Sequence, residues 1–259
     1  MVMEEFASLH TADAIRPRSV VCLSGGMDSC VTAALAAGET DAFALHFSYG
    51  QRTEARELAA ARGVAEQLGM RDFLHLKIDV FRRIGGSALT DASISVPDAK
   101  PDFGSEPAAA QSSGEAIPVT YVPFRNAHFL SAAVSWAEVL GATRVYIGAV
   151  EQDSSGYPDC RPAYYEAFQQ LVRMGTRDGK IEIVTPLIAS SKAEIVRLGL
   201  ECNAPLDLTW SCYREEQQAC GTCESCALRL RAFQSAGVPD PIPYAQKADK
   251  IPVQASTGN

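Results

Sequence analysis

The stretch "VVCLSGGMDSCVTAALAAGE", residues 20–39, decides the fold. It opens on an apolar, β-prone run, turns at Gly25 and Gly26, and continues into an alanine-rich helical segment. A strand, a glycine turn and a helix in that order aim the unpaired N–H groups of a helix N-terminus at an anion, and glycines let the backbone approach it without a Cβ in the way. The loop therefore has the shape of a phosphate site. It contains no Lys, however, and lacks the Gly-Lys-Ser/Thr ending with which an ordinary P-loop holds β- and γ-phosphates and Mg2+. A loop that grips with backbone donors and the hydroxyls of Ser24 and Ser29 alone suits a departing β,γ-pyrophosphate, so that attack falls on the α-phosphorus and the substrate is adenylated. The bland reading of the same residues is a Gly-Gly turn between a strand and a helix.

Outward from the loop, strand-like runs at 19–23, 41–47, 73–78, 144–148 and 181–185 alternate with helical patterns. After Arg52, Leu58, Ala61, Ala65 and Leu68 share one face and the pattern stops at Gly69; after Asn126, Phe129, Ala133, Val134, Ala137 and Leu140 do the same before Gly141. Such alternation implies right-handed crossovers and an α/β fold with a doubly wound parallel sheet. In that architecture ligands sit at the carboxyl ends of the strands, where Ser24 and Gly25 fall. The expected organisation is an N-terminal extension (1–18), a nucleotide-binding domain (19–200), a small helical cysteine subdomain (201–240) and a loosely packed tail (241–259). Residues 97–116, rich in Pro, Ser, Gly and Ala without apolar periodicity, read as a mobile insertion.

Bulk properties narrow the function. The 259 residues are 47% apolar, enough for one large domain, and no apolar run approaches the roughly 18 to 20 residues of a membrane helix. A net charge of −8 argues against a broad electrostatic grip on nucleic acid. Small substrates and a cytoplasmic location are expected.

"WSCYREEQQACGTCESCALRLRAF" spaces its cysteines as Cys212-x7-Cys220-x2-Cys223-x2-Cys226. Four thiolates so close, with the turn-former Gly221 between Cys220 and Cys223, fit a closed zinc site that staples a segment too short to bury its own core. An iron–sulfur cluster is the rival, since Cys-x2-Cys-x2-Cys also has ferredoxin spacing; no Pro follows the last Cys, which favours zinc. Cys22, Cys30, Cys160 and Cys202 sit among apolar neighbours as small core residues, and His46, His75 and His128 serve packing.

At this point the residues carry a resemblance. "SGGMDS" is similar to the SGGxDS pyrophosphate loop of the ATP pyrophosphatases. With "HFSYGQRTEARE", "IGGSALTD", "IPVTYVPFRNAHFLSAAVSWAEVLGA", "GAVEQDSSGYPDCRP", "PLIASSKAEIVRLGL" and "LTWSCY" in order, the chain resembles the QueC family of queuosine biosynthesis over roughly residues 19–235. The resemblance implies an ATP-dependent ligase that turns 7-carboxy-7-deazaguanine and ammonia into the 7-cyano product through adenylated intermediates, with Mg2+ and Zn2+, as a homodimer without nucleic-acid or membrane partners. Leu23, Ser24, Gly25, Gly26, Met27, Asp28 and Ser29 would hold the nucleotide, Asp28 being either a Mg2+ contact or a loop-bracing acceptor, and Ser48 and Tyr49 would lie by the adenine. Arg125 and Asn126 open a helix and would present donors to a carboxylate or to developing phosphoryl charge. Asp153, Tyr157, Asp159 and Arg161 would hold the deazaguanine, although the same run is ordinary turn chemistry. Lys192 would reach the phosphates, and Ser191-Lys192-Ala193-Glu194 is also a capping-box pattern with Lys192 in a solvated first turn. The rivals are a tRNA thiolase with an iron–sulfur cluster, which needs a basic surface, a nucleotide-binding module without catalysis, and a QueC-like enzyme for a different carboxylate.

Overall fold

The computed structural model describes residues 16–99, 117–151 and 157–245. Strand β1 (Arg18–Cys22) is buried from Ser19 onward because its side chains are wanted on both faces. Val20 and Cys22 join Leu45, Phe47, Val145 and Ile147 in one core, while Val21, with Ala42, Ala44 and Tyr146, joins the other. A strand covered on both faces is the mark of a parallel sheet under two helical layers.

That sheet has five strands in the order β3-β2-β1-β4-β5, with β2 (Asp41–Ser48), β3 (Phe73–Lys77), β4 (Arg144–Ile147) and β5 (Glu182–Val184) all parallel to their neighbours. Each expected strand is present to within one residue at either end. Helices α1 (Met27–Glu39) and α2 (Glu54–Gln67) cover one face through Ala33, Ala36, Ala61 and Val64. On the other face, α4 (Arg125–Leu140) and α5 (Pro162–Gly175) supply Leu130, Ala133, Ala137, Phe168 and Val172. The short α3 (Val80–Ile84) follows β3, α6 (Lys192–Glu201) packs on α1, and α7 (Glu224–Ala236) packs on α6. The chain winds outward from β1 through β2 to β3, then returns to place β4 on the other side of β1, so the crevice at this reversal opens at the carboxyl ends of β1 and β4.

Both segments expected to be loose are held where they begin. The start of the insertion is anchored: Asp98 bridges to Cys223, the Ala99 N–H donates to the Thr222 carbonyl at 2.8 Å, and Arg214 holds Asp98 at 2.7 Å and the Val96 carbonyl at 2.6 Å. Residues 100–116 lie outside the described residues. The start of the tail is anchored too, because Ile242 is buried beside the cysteine cluster and the Ala219 backbone exchanges hydrogen bonds of 2.9 Å with Pro243 and Ala245. Apolar anchors spaced singly, Val96 and Ile242, carry no periodicity and so gave no sign in the sequence. Among the scattered cysteines, Cys22, Cys30 and Cys160 are buried as expected, while Cys202 is half-buried. His46 is buried, whereas His128 is exposed at a helix surface with its ring edge-on to Phe81.

Candidate active site

A cavity of about 310 Å3 fills the crevice. Its floor is the loop from Ser24 to Ser29. Gly25 turns away from the cavity with φ +92°, and a Cβ there would lie 2.4 Å from the Glu57 carbonyl and 3.0 Å from the Ala61 nitrogen, so α2 presses directly on the loop. The Ser24 and Ser29 hydroxyls are 3.0 Å apart, Ser29 Oγ donates to the Gly26 carbonyl at 3.0 Å, and the Gly26 N–H reaches Ser24 Oγ at 3.3 Å. Gly26 is the N-cap of α1 and offers no side chain to the first turn, whose N–H groups therefore lack a capping side chain. These are the features of an anion cradle.

Lys192, from the first turn of α6, enters the same cavity and pairs with Asp28 Oδ2 at 2.7 Å. The capping box expected at Ser191 is present, with Ser191 Oγ accepting from the Glu194 N–H and Glu194 returning to the Ser191 N–H at 2.8 Å. Both readings of that segment therefore hold at once: the cap fixes the helix start that carries Lys192 to the loop. The second oxygen of Asp28, Oδ1, is buried with no partner among the described residues.

Arg125 lines the same cavity. The preceding residue, Phe124, adopts φ +57°, a strained value for a bulky side chain, and its N–H is held by the Tyr121 hydroxyl at 2.9 Å. This kink starts α4 and turns Arg125 inward, where it donates to the Tyr49 hydroxyl at 2.9 Å and lies over the Tyr49 and Phe129 rings at 5.6 and 5.8 Å. Its Nε is buried and unpartnered among the described residues. Asn126 lines the cavity but is braced from below, its N–H on Asp159 Oδ2 at 3.1 Å and its amide on the Asp159 carbonyl at 2.9 Å. Tyr157 closes another side, hydrogen-bonded to Thr120 Oγ1 at 2.7 Å and 5.4 Å from the Tyr121 ring.

The structure thus brings together Leu23, Ser24, Gly26, Met27, Asp28, Ser29, Tyr49, Arg125, Asn126, Tyr157 and Lys192 around one cavity. Besides Gly25, whose backbone turns away, it does not bring in three others. Ser48, one residue from Tyr49 on a strand, points to the opposite sheet face and bonds His75 Nε2 at 2.8 Å. Asp159 is 3% exposed and engaged with Asn126, and the Arg161 side chain is exposed outside the cavity. Asp153 lies outside the described residues.

The far wall comes from the cysteine segment. Trp210 is fully buried, its backbone N–H on the Gly25 carbonyl at 2.8 Å and its ring under the Arg56 guanidinium, and Tyr213, Glu224 and Arg229 line the cavity beside it. The sulfurs of Cys212, Cys220, Cys223 and Cys226 all lie within 4.8 Å of one another. Cys220 and Cys226 are 3.9 Å apart, close to the ~3.8 Å that ~2.3 Å bonds give in a zinc tetrahedron. Backbone N–H groups of Glu215 and Cys223 point at the sulfurs of Cys212 and Cys220 at 3.3 Å, as suits thiolates. The donor set fits a single tetrahedral metal ion, whereas a cluster would distribute its thiolates over separate irons.

Three further residues take part in the site, and two of them carry a sequence signal of their own. Gly148 ends β4, and a Cβ there would stand 2.9 Å from the backbone of Asp28 and Ser29, so the loop needs this glycine; a glycine closing a strand is a sign of close backbone approach. Glu57 lines the cavity from α2, on the apolar side of the helix four residues before Ala61, where a charge is out of place. Arg229 is 2% exposed, with Asp240 on it at 2.8 and 3.0 Å and Thr209 Oγ1 at 2.6 Å.

Fold and loop together define an α/β nucleotide-binding protein of the PP-loop class, in which a lysine-free Ser-Gly-Gly turn caps the first helix. Residues 18–237 match the family described as Queuosine biosynthesis protein QueC, and the chain belongs to that family. A 7-cyano-7-deazaguanine synthase of Acidobacterium capsulatum is 69% identical over 232 residues, covering 90% of this chain and 98% of its own. One of Koribacter versatilis is 62% identical with 89% and 94% covered, and one of Chlorobium phaeobacteroides is 51% identical with 90% and 100% covered. No described helix is long and apolar enough to cross a membrane.

Proposed function

We propose that this chain ligates ammonia to 7-carboxy-7-deazaguanine at the expense of ATP, giving 7-cyano-7-deazaguanine. The observation that carries this is the lysine-free loop at the β1–β4 crevice in a member of the QueC family, with Arg125 lining the same cavity. Backbone donors of the loop and the Ser24 and Ser29 hydroxyls hold the β,γ-pyrophosphate, and Lys192 exchanges its contact with Asp28 for the phosphates as nucleotide enters. Tyr49 and Leu23 lie on the adenine side. A carboxylate oxygen of the substrate, steered by Arg125, attacks the α-phosphorus and pyrophosphate departs. Ammonia then attacks the acyl carbon, AMP leaves and a proton is lost, giving the amide. The amide oxygen attacks a second ATP in the same way; loss of the remaining N–H protons then forms the third C–N bond as AMP departs with the C–O electron pair.

Asp28 Oδ1, buried and unpartnered among the described residues, is the atom that would meet Mg2+, which when bound neutralises phosphate charge. The four cysteines would hold zinc, whose contribution is structural because four thiolates leave no open position. Exposed Val139, Leu171 and Met174 on α4 and α5 offer a surface for a second copy, in keeping with a cytoplasmic homodimer. Mass spectrometry after incubation with ATP, ammonium and 7-carboxy-7-deazaguanine tests the reading. Two AMP and two pyrophosphate per nitrile are expected; ADP from α-labelled ATP would overturn it.

A further inference from the structure

Glu57 has no part in the steps above, yet it is half-buried and faces the cavity from α2. Its two carboxyl oxygens have different partners. Gln51 is oriented by the Tyr49 N–H, which donates to its Oε1 at 2.8 Å, so its amide N–H groups point to the Phe47 carbonyl at 3.3 Å and to Glu57 Oε2 at 3.2 Å. The other oxygen, Oε1, lies 2.8 Å from Thr53 Oγ1, and that hydroxyl lies 3.1 Å from the Cys212 carbonyl. A threonine hydroxyl has one proton and cannot donate to both acceptors. If Glu57 is ionised, Thr53 donates to it and the buried Cys212 carbonyl loses that partner. With Glu57 neutral, its O–H donates to Thr53 and Thr53 donates to the carbonyl, so every group is satisfied. The two protonation states of Glu57 therefore differ by the swing of one hydroxyl, with no other side chain displaced.

We propose that Glu57 is the proton acceptor for the nitrogen chemistry: its carboxylate takes the N–H protons released as ammonia becomes amide and amide becomes nitrile. This rests on the ligation reading above. The nitrogen loses three protons in turn, one as ammonia replaces AMP and two from the adenylated amide, and Glu57 passes each to solvent before it takes the next; in the last step the N–H electron pair becomes the third C–N bond, the proton passes to Glu57 Oε1, and the C–O pair leaves with AMP. Desolvation raises the Glu57 carboxyl to about 7, against which the Thr53 and Gln51 hydrogen bonds and then Arg125 work, while Glu54 on the same helix adds to the rise. The other charged groups lining the cavity are Asp28 from α1, Arg52 before α2, Lys192 from α6, and Glu224 and Arg229 from α7. A carboxyl poised near neutrality is suited to accept a proton from one intermediate and release it before the next.

Two reactions separate this role from nucleotide binding: ATP–pyrophosphate exchange with 7-carboxy-7-deazaguanine in the absence of ammonium, and nitrile formation from the preformed amide and ATP, which needs no ammonia, followed from pH 5.5 to 9. Glu57→Gln, whose amide can make the same two hydrogen bonds as the neutral acid, is expected to retain exchange, to slow nitrile formation by about 10²-fold or more, and to lose the acid limb of the pH profile. Nitrile formation in Glu57→Gln with the wild-type pH profile overturns the proposal, as does an equal loss of exchange and nitrile. Wild-type protein with no exchange at all takes down the ligation reading and Glu57's role with it. If Glu57→Gln does not fold, infrared spectra of the wild type decide: a carboxylic-acid band present at pH 6 and gone at pH 8 supports the proposal, and its absence at pH 6 overturns it.

Discussion

The two walls of the cavity are built by opposite means. The loop at Ser24–Ser29 grows out of a central strand hydrogen-bonded on both sides, and its shape is set by backbone: a left-handed Gly25 against α2 and Gly148 under the helix start. The wall from Trp210 to Arg229 has no strand of the main sheet in it. It is held by four converging sulfurs, by the Arg214 ties and by isolated bridges to residues 98 and 244. The loop side thus inherits its rigidity from the sheet, while the opposite side depends on its cysteine cluster and a few side-chain ties.

That contrast can be broken most easily at the four cysteines, by removing the zinc proposed for them. Chelation is expected to cost the cysteine wall on the order of 10 kcal/mol, the scale of structural zinc, and to expose Trp210. Its fluorescence should shift to the red while hydrogen exchange of β1 and β4 amides stays slow, and a chelated or Cys223→Ala protein with Trp210 still buried would erase the distinction. Next in size is Arg229→Met, which leaves the Asp240 carboxylate, 4% exposed, without its cation. A loss of about 3–5 kcal/mol in urea denaturation is expected.

The loop side is vulnerable to acid instead. His46 Nδ1 donates to the Leu23 carbonyl at 2.8 Å, just before the loop, and its Nε2 is buried and unpartnered among the described residues; burial lowers its pKa from 6.5 to about 4. The native state then binds fewer protons than the unfolded chain between those values, so this stability is whole above pH 6.5 and is lost as the pH falls toward 4. In Glu57→Gln the loss should amount to about 3 kcal/mol in denaturation at pH 6.5 and pH 4. Wild type should be flatter there, because Glu57 with its raised pKa favours the native state at low pH. Asp28→Ala sharpens the contrast from the chemical side, with a fall in turnover of roughly 10²-fold, about 2.7 kcal/mol, at an unchanged melting temperature. The smallest effect belongs to Ser191→Ala: loss of the capping box should lower stability by about 1 kcal/mol and raise the KM for ATP, as the helix start carrying Lys192 frays.

The sheet was legible because its signals are local and repeated: apolar runs, helix faces ending at Gly69 and Gly141, and one loop. The cavity-lining loop and the four-cysteine cluster could be read for the same reason, their residues being adjacent or closely spaced in sequence. What escaped was pairing at a distance. Nothing near Asp159 announces that its carboxylate is engaged by Asn126, and a strand's two-residue alternation, not composition, puts Tyr49 in the cavity and Ser48 behind the sheet. Glu57 was hidden by its own neighbourhood, an alanine-rich helix read for its apolar face.

Arg229 also bears on where this chain can be cut. The family match ends at residue 237, at the glycine that closes α7, and a minimal version would naturally stop there. Asp240 lies three residues beyond that boundary, and Tyr244, which donates to Asp240 at 2.7 Å, lies further still. Shortening the protein to its matched region would leave a guanidinium buried in the wall of the cavity with its counter-charge removed. The working carboxyl terminus of the fold is therefore residue 245 or later, and fusions or truncations should be placed beyond it.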